Sequence, residues 1–328
     1  MENSKIFNYA NLLGVKLGNE IDISEIENYF PQTIFKKQYD CDLDYIIKYN
    51  VSQYSYLKNI LSSFDLQKEK FPYRSAPVIS KKIDGWTLSY FFQNRYSEDY
   101  FVAINKDKIC IVSNKYDSNI VLRTLNELIV RKLLEKRYFP IHASAVVNLD
   151  DGKADLFFGD KGSGKSTIFF EKTVNEAYLP LANDICFVGV ENGQAMVYSL
   201  TFDITFHKSL LVNNNNDFNA KYDEVRCNPA QFCQFIDKSW MYVAPLESLN
   251  YTALNLSDDF EIQQISSENM HELLLKYGKD RDFTFDDVLD INNLYPDYNY
   301  ANLIQHVPFL NSVRGNVVDR NKMKSRIY

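Results

Sequence analysis

The run Gly159, Asp160, Lys161, Gly162, Ser163, Gly164, Lys165, Ser166 satisfies GxxxxGK[ST] at every fixed position. That spacing is built to hold a polyphosphate. Backbone N–H groups must curl round phosphate oxygens, which requires small residues, and Gly162 and Gly164 tolerate conformations that a side chain forbids. A helix starting near Lys165 would point its positive end at the same oxygens. In such a P-loop, Lys165 bridges the β- and γ-phosphates, Ser166 ligates magnesium and Thr167 reaches a further phosphate oxygen. The plain alternative is a glycine turn that matches by chance, and a chain with only 11 glycines makes that alternative weak.

Binding is not yet a reaction, because switches, motors, transporters and kinases share this loop. Two flanking features narrow the choice. His142 lies in the segment His142, Ala143, Ser144, Ala145, Val146, and Asp184 lies in Leu181, Ala182, Asn183, Asp184, Ile185, Cys186, about twenty residues past Lys165. So short a gap makes the acidic strand follow directly on the loop's helix, and His142, Lys165 and Asp184 can then converge at one end of neighbouring strands. Asp184 could orient an attacking hydroxyl or hold magnesium, and His142 could orient Asp184 or donate to a phosphate. A strand histidine satisfied by backbone, and a turn acid at a strand end, are the ordinary readings of these two residues.

Other polar candidates carry less. His207, His271 and His306 fall in separate elements with no metal spacing. Arg226 reads as a solvated loop arginine or as a positive clamp over phosphates, and Arg314 beside Gly315 stands similarly. Phe232, Phe235, Trp240 and Tyr242 read as core rather than as a platform for a base.

These residues need elements to hold them. Ile141 to Val147 reads as a strand, Asp150, Asp151 and Gly152 as a turn, and Ala154 to Phe158 as the apolar strand feeding the loop. Thr167 to Ala177 reads as a helix, Tyr178 to Val190 as a chain entering a buried strand, and Glu191, Asn192 and Gly193 as a turn into Gln194 to Leu200. Upstream, helix-like stretches open at Asp22, Ile23, Ser24 and around Asp42 to Tyr49. Trp86 to Phe92, Tyr100 to Ile104 and Lys108 to Val112 read as an antiparallel meander, with Asn105, Lys106 and Asp107 turning its last pair. Leucines at helical spacing from Leu122 predict an amphipathic helix through Arg137, ended by Pro140. Asn213 to Asn216 reads as a polar loop. Ser267 is expected to cap a helix Glu268 to Tyr277, and the remainder reads as mixed, mostly helical or irregular.

With 328 residues and 45% hydrophobic content, the chain can bury a real core, and its fold should be α/β or α+β. A formal charge of -7 argues against bulk nucleic acid or an anionic membrane as the main partner. The basic end, Arg320, Lys322, Lys324 and Arg326, reads as a frayed tail. The five cysteines form no CxxC pair, and neither a secretory signal nor an apolar run of ~18 residues occurs, so the expectation is a cytoplasmic protein with free thiols and no membrane span.

The segments around the loop resemble the HPr kinase/phosphorylase superfamily, and more closely the HPr-kinase-like proteins of peptide-modification gene clusters. In those proteins a histidine in an HASAV strand precedes a G-x-x-G-x-GKST loop and an A-D-D strand. The likeness runs best from Trp86 to Val190, with an echo at Tyr9 to Ile26. It implies a P-loop kinase core of α/β type, residues 138–328, with a smaller α+β N-terminal region, residues 1–137. It also implies ATP and Mg2+ as cofactors, and transfer of the γ-phosphate to a serine-type hydroxyl on a peptide, protein or small molecule. Residue by residue, Gly159, Gly164, Lys165 and Ser166 fall on the nucleotide site, His142 beside the reacting phosphate, and Asp184 on the second acid of a pair. Asn183 stands where the first acid belongs, so a nucleotide-binding regulator or weak ATPase stays open as a rival, and so does a small-molecule or tRNA-directed kinase. The superfamily assembles into rings; a homo-oligomer is compatible with this sequence, and nothing in it sets a number.

Overall fold

The structure is a computed structural model that describes residues 5–35, 42–62, 78–91, 98–207, 220–221, 224–254, 261–278 and 300–315. Asn213 to Asn216, Cys41, Phe92 and the basic end lie outside them. Among the described residues the chain divides into two compact units, one ending at Glu135 and the other starting at Lys136. Both mix helices with sheet.

The first unit comprises β1 (Lys5–Tyr9), β2 (Leu13–Leu17), α1 (Ser24–Tyr29), β3 (Ile34–Phe35), β4 (Tyr45–Asn50), α2 (Tyr54–Ser62), β5 (Val78–Ile83), β6 (Trp86–Phe91), β7 (Tyr100–Asn105), β8 (Lys108–Ser113) and α3 (Ser118–Glu135). Its strands lie in the order β3-β1-β2-β4-β8-β7-β6-β5. The meander β6-β7-β8 forms as expected, turned by Lys106 at φ 54. The helix expected around Asp42 to Tyr49 is instead strand β4, parallel to both β2 and β8. The reason is a two-residue period: Ile47 and Tyr49 are buried while Lys48 between them is exposed, a pattern no helix face can satisfy. The hairpin β1-β2 was not expected at all. Helix α3 begins four residues before Leu122 and stops at Glu135, where Arg137 takes φ 64 and turns the chain. Pro140 therefore does not end the helix. It sits within the next strand, on a stretch paired on one side only among the described residues, where a missing N–H costs little.

The second unit comprises β9 (Phe139–Asn148), β10 (Ala154–Phe158), α4 (Lys165–Asn175), β11 (Tyr178–Ala182), β12 (Ile185–Glu191), β13 (Gln194–Leu200), β14 (Ile204–His207), β15 (Ala220–Lys221), β16 (Glu224–Cys227), α5 (Pro229–Ile236), β17 (Val243–Leu254), β18 (Glu261–Gln264), α6 (Ser267–Leu273), α7 (Tyr300–Ile304) and β19 (Phe309–Gly315). β10 and β11 are both antiparallel to β9, hence parallel to each other, and α4 crosses over β9 to join them. β9 and β17 each change partners part-way, so the pairings β10-β9-β12-β13-β17-β10 close on themselves. One face of this circuit, with Ile141, Leu156, Phe158 and Val188, packs against Met270, Leu274, Tyr300 and Leu303. The other, with Val146 and Phe157, packs against Ile168, Phe169 and Phe170 of α4 and Phe232 of α5. Each such fully buried side chain contributes roughly 1.5–3 kcal/mol.

Two boundaries differ from expectation. α4 spans Lys165–Asn175 rather than Thr167 to Ala177, and its last turn is closed by Lys238, whose Nζ donates to the carbonyls of Thr173 at 2.6 Å and Glu176 at 2.7 Å. Ser266, not Ser267, caps α6, its hydroxyl accepting from the Asn269 amide at 3.2 Å, and a π-helical turn, Leu274–Gly278, carries the helix on through Tyr277 as expected. Of the segment after Gly278 the structure describes only 300–315, where α7 is followed by β19, a strand that runs parallel to β17 along seven residue pairs with Leu310 and Val313 buried. No helix among the described residues is long and apolar enough to cross a membrane.

Replacing Lys238 by Met keeps its stem but removes two charge-assisted bonds to the end of α4. Urea unfolding followed by circular dichroism should show a loss of about 1.5–3 kcal/mol with an unchanged m-value.

Candidate functional site

The loop Gly159–Ser166 connects the end of β10 to the start of α4. Three of its residues have positive φ: Gly159 at 155, Gly162 at 81 and Gly164 at 91. Gly164 is the N-cap of α4 in the left-handed region, where a side chain would be strained, and no side chain caps the helix. The first intrahelical bond is from Ile168 to the Gly164 carbonyl, so the amides of Lys165, Ser166 and Thr167 precede it and open at the N-terminus. Gly159 has a different reason: a Cβ there would collide with the carbonyl of Thr252 and crowd the Ser163 hydroxyl.

Lys165 is 8% exposed, and its Nζ donates to the carbonyls of Gly159 and Asp160, both at 3.0 Å. The loop backbone thus wraps its own lysine. Asp160 is turned on the loop, its Oδ1 accepting from the Lys161 amide at 2.8 Å. Ser163 does not point outward: its hydroxyl bonds to that of Thr252 on β17 at 2.9 Å, and Thr252 in turn donates to the Phe158 carbonyl at 3.0 Å. Thr252 braces the base of the loop, and nothing local in the sequence announces it.

The antiparallel register places the other two candidates beside this loop. Phe158 lies opposite Ala143, so the strand next to Gly159 presents His142. On the far side of β9, Ile185 lies opposite His142, and the Asp184 carbonyl accepts from the Ala143 amide at 2.9 Å. His142 Nδ1 stands 3.6 Å from Asp184 Oδ1, with both side chains partly exposed. Asn183 and Asp184 form the break between β11 and β12. The Ser144 hydroxyl donates to the Asn183 carbonyl at 3.2 Å, and the Asn183 amide oxygen is 3.5 Å from the same hydroxyl. A neutral amide turned toward β9 therefore occupies the position before the acid.

On the other flank of the loop, the rings of Tyr251 and Tyr277 lie 5.2 Å apart, with Lys276 Nζ 4.8 Å from the centroid of the Tyr277 ring. Hydrogen bonds donated by Lys276 and Tyr251 hold the Tyr277 hydroxyl below the usual tyrosine range, while burial and the bond to Tyr277 push Tyr251 up to about 12. The Asp160 carboxylate acts on both. Nothing local in the sequence marks this aromatic wall, since its parts come from β17 and from the π-helical turn Leu274–Gly278 that follows α6.

The remaining candidates separate from the site or fold into the core. Arg226 lies on β16, not in a loop, and bonds Asp203 through Nε at 2.6 Å and Nη2 at 2.5 Å. His207, His271 and His306 occupy β14, α6 and the turn after α7; His306 Nδ1 pairs with the Asn302 carbonyl at 2.8 Å. Phe232 and Trp240 are buried, with Phe235 and Tyr242 packed against the same cluster as α4. Arg314 is on β19.

No protein-family model matches the chain, and no curated protein matches it in sequence. Among solved structures, it is similar to the HPr(Ser) kinase/phosphatase from Coxiella burnetii, at 10% identity and a TM-score of 0.28, over 58% of this chain and 86% of that one. A likeness at that score carries no argument by itself.

Proposed function

We propose that this chain is an ATP- and magnesium-dependent P-loop kinase that transfers the γ-phosphate to a serine-type hydroxyl on a peptide, protein or small molecule in the cytoplasm. The observation that supports this best is the juxtaposition of an uncapped helix start, a lysine enclosed by its own glycine loop, and a His-Asp pair on the strands next to it. Lys165 would exchange the carbonyls of Gly159 and Asp160 for phosphate oxygens, and the amides of Lys165, Ser166 and Thr167 would receive the remaining charge. Ser166 and Asp184 would be the oxygen donors for magnesium, which would neutralise charge on the transferring phosphate. Asp184 would also accept the proton of the attacking hydroxyl, with His142 positioning its carboxylate. The hydroxyl oxygen forms the new bond to phosphorus as the bond to ADP breaks.

A second reading, a nucleotide-binding regulator that hydrolyses ATP slowly or not at all, is favoured by Asn183. Its neutral amide leaves Asp184 to serve both metal and base. Phosphoryl transfer asks more of positioning and charge neutralisation than of the base, so one carboxylate is sufficient in principle.

Three measurements test the proposal. With γ-labelled ATP, magnesium and lysate of the source organism, label should appear on an acceptor, and Lys165→Met or Asp184→Asn should reduce transfer by roughly 10²-fold or more. ADP release that needs no acceptor and ignores Asp184→Asn would favour the regulator. Chelation of divalent cations by EDTA should abolish transfer and be reversed by added magnesium. Thr252→Val should weaken ATP binding in calorimetry by about fivefold, equivalent to the ~1 kcal/mol of a lost brace bond, whereas unchanged affinity would mean that the loop holds itself.

A further inference from the structure

A polar pocket lies on the α4 side of the sheet, away from the glycine loop. Its floor is a set of side chains that the strand register puts on one face: Asp155 of β10 opposite Ser248 of β17, and Asn250 opposite Asn311 of β19. They are linked in series. Ser248 Oγ donates to Asp155 Oδ1 at 2.5 Å, Asn250 Nδ2 donates to Ser248 Oγ at 2.7 Å, and Asn311 Nδ2 donates to Asn250 Oδ1 at 3.0 Å. The cavity above them has a volume of about 370 Å³, within the size range of small-molecule sites.

Its wall contains Lys172 of α4, whose side chain is only 5% exposed. The ammonium lies 3.6 Å from Glu176, 4.0 Å from Asp155 and 3.9 Å from the Tyr178 ring centroid. None of these is a hydrogen bond, and a buried ammonium carries three donors that need oxygen. Asp155 accepts from Ser248 and Tyr178 and still has lone pairs to offer. At the rim Lys153 pairs with Glu247 at 2.6 Å, so opposite charges match both inside and at the mouth. Phe309 and Ile262, about half exposed, form the apolar side.

We propose that this pocket is a second ligand site, for a small neutral polyol of the sugar type. A hydroxyl accepts from Lys172 and donates to Asp155 at once, adjacent hydroxyls continue along the amides, and a ring's C–H face suits Phe309. A phosphate would meet the Asp155 carboxylate, and an apolar ligand would leave Lys172 unmet. Asp155 precedes Gly159 by four positions on β10, roughly 13 Å at strand rise, so the site is separate from the phosphate loop. The inference does not depend on the kinase reading.

The test is saturation-transfer NMR and calorimetry on the full chain with glucose, galactose, mannose and ribose at about 20 mM, alongside inorganic phosphate, glucose 6-phosphate and alanine. At least one neutral sugar should bind, and Lys172→Met and Asp155→Asn should each weaken it about tenfold or more, with ATP affinity unchanged. Asn311→Leu reads the same wall should either variant melt early. The proposal is overturned if no neutral sugar binds, if only the phosphates or alanine do, or if binding survives all three substitutions. Since ATP affinity is measured in the same samples, failure here and failure of the nucleotide site are seen separately.

Discussion

The amide of Ala143 donates to the carbonyl of Asp184 on one side of β9, while Phe158 lies opposite the same residue on the other. Strands stand about 4.8 Å apart, so this one register brings the mouth of the glycine loop and the Asn183-Asp184 break to either side of His142. It is held by burial: Ile141, Ala143 and Ala145 have no exposure, and His142 between them faces outward. A slip of one residue would turn the histidine onto the face that packs against Met270 and Tyr300 and move the alanines to the face under α4. The chemistry of the site is thus set by the register of a strand buried along most of its length, which presents His142 to the site and ties Asn183 in place through Ser144.

β17 does a related job with the opposite composition. Ser248, Asn250 and Thr252 share one face of the strand at alternate positions, all buried. Thr252 braces the loop through Ser163, and the other two form the pocket floor with Asp155. Buried polar groups are costly unless satisfied, and here each finds a partner on β10, on β19 or in the loop. One strand therefore carries the support of the phosphate loop and the recognition groups of the second cavity.

The parts legible in the sequence were those with local spacing. The glycine loop is contiguous, β10 and β13 are bounded by turns, and the His142 and Asp184 segments adjoin the loop along the chain. Nothing local could mark Thr252, Tyr251 or Tyr277, which reach the loop only through parallel pairing and a distant turn. The strand β4 resembled a helix because its acidic start mimics a cap, and only its parallel neighbours settle the period. Lys172 reads in the sequence as an ordinary polar position on a helix, and its burial comes from Tyr178 and Asp155 folding back against α4. Arg226 read as a free cation until Asp203, from the chain before β14, came to meet it.

The brace between Ser163 and Thr252 spans 89 residues of chain, and the bond from Thr252 to Phe158 spans 94. During synthesis the glycine loop emerges long before the strand that supports it. At that stage β10 has only β9 as a neighbour, and its other edge, bearing Leu156 and Phe158, is open to pairing with whatever strand it meets. A nascent chain would acquire a competent phosphate cradle late, in a single step with closure of the circuit, and until then would present an unpaired apolar edge to chaperones.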